Sequence, residues 1–158
     1  MNPKITEQHR NRPAYIYVRS RRTPKCSKAR SASMHRERWR WSWAGVESAI
    51  RTLDRDLGMT GAEMSRRKDF KTLVADVSMG QVGAVFALEV SRLARSNLDW
   101  HRLLELCGFT ATLVIDEDGC DDPSDFNDGL LLGLKGTVAQ AELHFLYARL
   151  QGGKFDLR

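Results

Sequence analysis

The sequence predicts an α/β fold, with a mainly parallel sheet flanked by helices and a long helix at the C-terminal end. Three observations lead there. Short apolar runs rich in β-branched and aromatic residues have the character of strands covered on both faces; segments with apolar residues at helical spacing separate them; and a long helical pattern closes the chain. A length of 158 residues suits one domain and is short for two, so 1–158 is read as a single domain.

The elements follow in order. After a polar start, "AYIYV" at residues 14–18 reads as a buried strand. Residues 20–45 keep no 3.6-residue period, and Trp39, Trp41 and Trp43 alternate with Arg40 and Ser42. That segment lacks the apolar stripe needed to dock on a sheet and is expected to be poorly ordered. "SAIRTLD" gives a second strand, and "RDLGMTGAEMSRRKD", with Gly58 and Gly61, suits a mobile loop. From Asp69 the spacing of Phe70, Leu73, Val74 and Val77 is helical, with Gly80 just past the end. "VGAVFALEV" is the next buried strand. "SNLDWHRLLELCGF" is a helix with Leu98, Leu103, Leu104 and Cys107 apolar and Gly108 at its C-terminus, and "ATLVIDEDG" is a strand ending in acids. The closing pattern places Leu130, Leu134, Val138, Ala141 and Leu146 near one face, as core or as a dimer surface.

Charge is uneven. The formal net charge is +5, yet Arg19 to Arg40 holds nine basic residues against Glu37 alone, a local +8. Such a block can bind nucleic acid, although a like-charge run is more often a solvated or disordered segment. Cys26, Cys107 and Cys120 have no CxxC spacing and His9, His35, His101 and His144 are scattered, which argues against a zinc centre or a disulfide framework. No cofactor is expected. No apolar run suits a secretory signal or a membrane span, so a cytoplasmic location is expected.

In a parallel α/β sheet the site lies at the strand C-terminal ends, which points to Arg19, to "SRLAR" and to Asp116-Glu117-Asp118. In "EVSRLARS" a strand ends and a helix begins, so Ser91, Arg92 and Arg95 project at the sheet edge, with the two arginines three apart on a shared face. Guanidinium forks grip phosphate and stabilise charge on a transferred phosphoryl group. Surface pairing with carboxylates is the ordinary fate of such a pair, but Arg19 and the Arg66-Arg67 doublet converge with them, and converging arginines need an anion. Asp116 and Asp118 could instead hold magnesium for phosphotransfer; a solvated acidic loop is the simpler reading. "GLKGT" sits inside a helical pattern and is not a phosphate loop.

These residues resemble the catalytic domain of the serine recombinases, the resolvase/invertase family, especially its branch with large C-terminal extensions. The resemblance covers residues 4–19 and roughly 49–154, where "AYIYVR", "DLGMTGAEMSRRKDF", "VGAVFALEVSRLARSNLDWHRLLEL", "TLVIDEDG" and "FNDGLLLGLKGTVAQAELHFLYARL" fall in the family's order. It implies breakage and rejoining of double-stranded DNA through a phosphoserine link, without metal or nucleotide. It also implies a homodimer built by the long terminal helix. Arg19 matches the arginine of the Tyr-x-Arg-x-Ser motif, Arg67 the mobile-loop arginine, and Arg92 with Arg95 the arginine pair. Arg66 and Ser91 are carried as DNA contacts, Ser91 standing where many resolvases have aspartate. With the chain stopping at Arg158, short of the family's DNA-binding extensions, DNA affinity is expected to be weak.

The nucleophile does not match. The motif demands serine two residues beyond Arg19, and Arg21 stands there. In a strand Ser20 would face away from the Arg19 side. Reading each codon from its third base after Arg19 permits "YVRQST" followed by "QV", the family's nucleophile segment. Further on, it permits an amphipathic "YA.RALALELGW", with letters forced at Met34-His35 and Trp43-Ala44 because methionine and tryptophan have single codons. Residues 20 to about 45 therefore read as an out-of-frame stretch between two compensating shifts. That leaves a degenerate, inactive recombinase domain. The alternatives are a recombinase using Ser20, a noncatalytic DNA-binding or dimerisation module and, distantly, the magnesium-dependent phosphotransfer enzyme.

Overall fold

The computed structural model describes residues 3–17, 50–53, 68–86, 97–116 and 119–155. A short helix α1 (Glu7–Arg10) leads into strand β1 (Ala14–Tyr17). Then come β2 (Ile50–Leu53), α2 (Lys68–Ser78), β3 (Ala84–Phe86), α3 (Asn97–Thr110), β4 (Leu113–Ile115), β5 (Cys120–Asp121) and the 30-residue α4 (Phe126–Phe155). The sheet order is β2-β1-β3-β4-β5, with β1 to β4 parallel and β5 antiparallel at the edge. The mainly parallel α/β fold expected from the sequence is the one observed. The stretch 20–45 and the loop with Gly58 and Gly61 lie outside the described residues.

Strand side chains alternate between two faces. Tyr15, Tyr17, Leu53, Val85 and Val114 join Phe70, Leu73 and Val77 of α2, Trp100, Leu103, Leu104 and Cys107 of α3, and Leu132 of α4 in one core. Ala14, Ile16, Ala84, Phe86, Leu113, Ile115 and Cys120 form the other, which Ile5 and the partly buried Ile50 also join. Phe70, Leu73 and Val77 are the helical apolar positions seen in the sequence. Gly80 (φ +71°) ends α2 in a Schellman turn, with Gly80 N–H donating to Val77 O (2.9 Å) and Gln81 N–H to Asp76 O (3.1 Å).

One expectation needs correction, and one alternative is narrowed. Gly108 is not the end of α3, which continues to Thr110; Ala111 adopts the left-handed conformation (φ +50°) and Thr112 N–H closes on Cys107 O at 2.9 Å. Gly108 stays helical where a Cβ would rest 3.4 Å from the Pro123 carbonyl oxygen. Of the two readings of the α4 stripe, core or dimer surface, the first does not hold within this chain: Leu130, Leu134, Val138 and Leu146 are all more than half exposed, and among the α4 leucines whose burial is described Leu132 enters the core.

α4 docks through its glycines. At Gly136 a Cβ would lie 2.5 Å from Trp100 Nε1, so only glycine lets the indole approach the helix backbone, where Nε1–H donates to Leu132 O at 2.8 Å. From Thr137 on, every residue of α4 whose burial is described, through Gly152, is exposed.

The N-terminal segment is tied to the far edge of the sheet. Arg12 donates to Thr110 O (2.7 Å), Ala111 O (2.6 Å) and Gly80 O (3.4 Å), so one guanidinium closes the C-terminal ends of both α2 and α3. His9 is buried, and its Nδ1 accepts the Thr6 N–H at 3.1 Å. Burial, aided by the Arg12 charge, lowers the His9 pKa below its ordinary 6.5. A histidine held neutral in the folded state contributes stability that is fully present above the unfolded pKa and is lost as pH falls from there through the folded value. Urea melts at pH 7.5 and 5 should therefore show an acid-side loss that is reduced in His9→Gln, whose amide accepts the same N–H at every pH.

Candidate functional site

Parallel register brings the chain out of the sheet at one edge. Tyr17 pairs with Leu53, Ile16 with Phe86 and Phe86 with Ile115, so β1 to β4 end nearly level. The chain leaves β1 for β2 on one side and later forms β3 on the other, which makes the carboxyl ends of β1 and β3 the switch point where α/β sheets take ligands. α2 and α3 run back from this edge, since their C-terminal ends meet Arg12 at the opposite one. Their N-termini, the positive ends of their dipoles, thus lie on the ligand side.

The residues named from the sequence attach to these described ends. Arg19 and Ser20 follow Tyr17 by two and three positions, Ser91, Arg92 and Arg95 fall between Phe86 and Asn97, and Arg66 and Arg67 immediately precede Lys68. All seven lie outside the described residues, so their mutual geometry is not part of the site as built. The described structure supplies the frame: two strand ends flanking the switch point and two helix N-termini.

Asp116, the first residue past β4, is different in character from a solvated loop acid. It is buried; its Oδ1 accepts the Gly119 N–H at 3.1 Å and its Oδ2 lies 2.9 Å from Lys135 Nζ. Lys135 also reaches Asp121 Oδ2 at 3.6 Å. Burial raises the Asp121 pKa above its ordinary value, against the pull of Lys135. A second pair, Lys4 Nζ to Asp128 Oδ2 at 2.7 Å, joins the N-terminal segment to the start of α4, and Lys4 also donates to Cys120 O at 3.1 Å. Of the two aspartates read as a possible magnesium pair, Asp116 has both oxygens engaged by the protein and Asp118 lies outside the described residues. Among the described residues, no group of three or more His, Cys, Asp or Glu side chains is placed to hold a metal.

Lys135 was visible in "GLKGT" as a helical residue, as the structure bears out. Its link to Asp116, 19 positions away, had no local signal. Cys107 and Cys120 are free thiols whose pKa values burial pushes up to about 12 and about 11, which makes them inert packing groups. Among the described residues no helix is long and apolar enough to cross a membrane.

Known proteins resemble this chain in sequence and in fold. The family described as "Resolvase, N terminal domain" matches residues 14–155. An uncharacterized protein, y4bA/y4pH of Sinorhizobium fredii (strain NBRC 101917 / NGR234), is 46% identical over 154 residues, covering 95% of this chain. The chain spans 22% of that relative's length. Among solved structures, the N-terminal catalytic domain of TP901-1 integrase superposes with a TM-score of 0.52 at 17% identity, over 85% of this chain and 98% of that one. A resolvase family site-specific recombinase from Streptococcus pneumoniae gives 0.48 at 21% identity, over 92% and 97%. With its sheet order, its long terminal helix and a family match across nearly all of its length, the chain belongs to the resolvase family of serine recombinases, as a domain of their N-terminal catalytic type.

Proposed function

We propose that this domain descends from a site-specific recombinase that broke and rejoined DNA through a phosphoserine link, and that in its present form it is inactive. The carrying observation is a family match running from residue 14 to 155 across a nucleophile segment that has Arg21 where the motif needs serine. The ancestral reaction needs a hydroxyl to attack phosphorus while guanidinium groups hold the non-bridging oxygens. Arg19, Arg67, Arg92 and Arg95 are the residues for the second task. Arg21 cannot perform the first, and a second cation beside Arg19 is costly to bury unpaired. Two compensating frame shifts near codons 20 and 45 account for the loss.

DNA is the partner, held electrostatically and weakly, in the cytoplasm. A homodimer through α4 is favoured by its exposed Phe145, Leu146, Tyr147 and Leu150, because monomers seldom leave such a patch bare.

The nucleotide sequence of the gene, followed by an assay for protein covalently attached to DNA, tests the reading. The expected result is single-base shifts that recover the family's nucleophile segment, and no covalent species from the present chain. A covalent species abolished by Ser20→Ala would overturn inactivity. Duplex binding lost in Arg92→Ala/Arg95→Ala, from a gene with no such shifts, would favour the noncatalytic DNA-binding module. Metal-dependent cleavage would favour phosphotransfer.

A further inference from the structure

β2 is thinly held. It is four residues long, lies at the edge of the sheet beside β1, and buries Leu53 alone of its residues. Sheet elements with so little buried surface open at low cost. Its polar attachments lie on the face that packs against α2 and α3. Tyr15 and Arg51 are direct cross-strand partners, so their side chains share that face. Tyr15 is 4% exposed, and its hydroxyl donates to Asp76 Oδ2 of α2 at 2.7 Å. Arg51 donates to the same hydroxyl oxygen at 3.3 Å and stands 3.6 Å from Asp76 Oδ2. Its guanidinium carbon lies 5.4 Å from the centre of the Tyr15 ring. A half-exposed arginine on an edge strand can ordinarily carry its head into water; here the phenol and the carboxylate draw it back over the sheet. A slip of one residue would turn Arg51 to the opposite, apolar face, where Ile16, Ala84 and Phe86 pack. The same contacts therefore specify the register of β2 on β1.

The geometry points to Arg51, Tyr15 and Asp76 as a clasp that holds β2 in register on β1 and against α2, and so sets how readily this edge strand opens while the rest of the sheet stays closed. The chain between Leu53 and Lys68, which carries Arg66 and Arg67, runs from β2 to α2, the two elements the clasp joins. Its action requires no nucleic acid.

Native-state amide exchange of the full chain, followed residue by residue by NMR at neutral pH, tests it. Arg51→Met and Asp76→Asn change the net charge in opposite directions. Each should nevertheless speed exchange in β2 about fivefold and leave β3 and β4 within about twofold of wild type. The double variant should exchange no more than about twofold faster in β2 than either single one, because a clasp opens only once. Arg51→Lys keeps the charge without the planar fork, and its β2 should exchange at a rate between wild type and Arg51→Met. Equal acceleration in β2, β3 and β4 would be a general loss of stability and overturns the clasp. So does a double variant in which the two single effects multiply. Asp76→Asn keeps the side-chain shape and decides alone should Arg51→Met fail to fold: β2 exchange unchanged from wild type overturns the clasp.

Discussion

Gly136→Ala is expected to destabilise the protein by about 2 kcal/mol, although the same exchange in an exposed helix stabilises by roughly 1 kcal/mol. The reversal of sign comes from Trp100. A methyl group at Gly136 would overlap the indole Cδ1 and stand 2.5 Å from Nε1, and the ring cannot withdraw because it is 2% exposed. Either the indole abandons the Leu132 carbonyl or α4 lifts from α3, and both outcomes uncover core. Gly152 is the internal control, since a Cβ there meets nothing within 4 Å. Gly152→Ala should raise stability by a few tenths of a kcal/mol, up to about 1. Urea melts of the two variants at neutral pH check the pair; equal shifts of the same sign would refute the account.

Arg12→Met is expected to cost about 3 kcal/mol. Its guanidinium donates to carbonyls that close two helices, at Thr110 and Ala111 for α3 and at Gly80 for α2. Methionine preserves the stem and strands these acceptors, which lie where the helix dipoles concentrate negative potential. Arg12→Lys should recover less than half of the loss, because an ammonium cannot fork to carbonyls on separate elements. Amide exchange gives a second check: protection should fall first at the C-terminal turns of α2 and α3 and last in β1 and β3.

The parts legible in the sequence were those with a local cause. β1 could be read because Tyr15, Ile16 and Tyr17 are β-prone in an apolar run, and α2 because Phe70, Leu73 and Val77 repeat at helical spacing before Gly80 supplies a left-handed turn. α3 was cut short at Gly108 because glycine usually marks a helix end, whereas here the left-handed position fell to Ala111, a residue with no such preference. β5 was missed because "CDDPSD" has the composition of a loop; its two residues pair with β4 through register alone. The α4 stripe was readable only as core or a dimer surface, because the helix docks partly through Gly136, which hydrophobic periodicity cannot register. At the site, the strand ends were foreseeable from the alternation of elements, while Lys4 and Lys135, like Arg12 at the opposite end of the sheet, act across 124, 19 and 98 positions of chain and carry no local signature.

Docking through Gly136 and Trp100 leaves the rest of α4 as a lever. From Gly136 to Phe155 the helix rises roughly 28 Å, and over that length a tilt of about 10° at the glycine joint moves the tip by about 5 Å. Lys135 sits at the fulcrum, ion-paired with Asp116 just past the end of β4. A displacement too small to disturb the core could therefore become, at the far end, the difference between meeting and missing a second molecule.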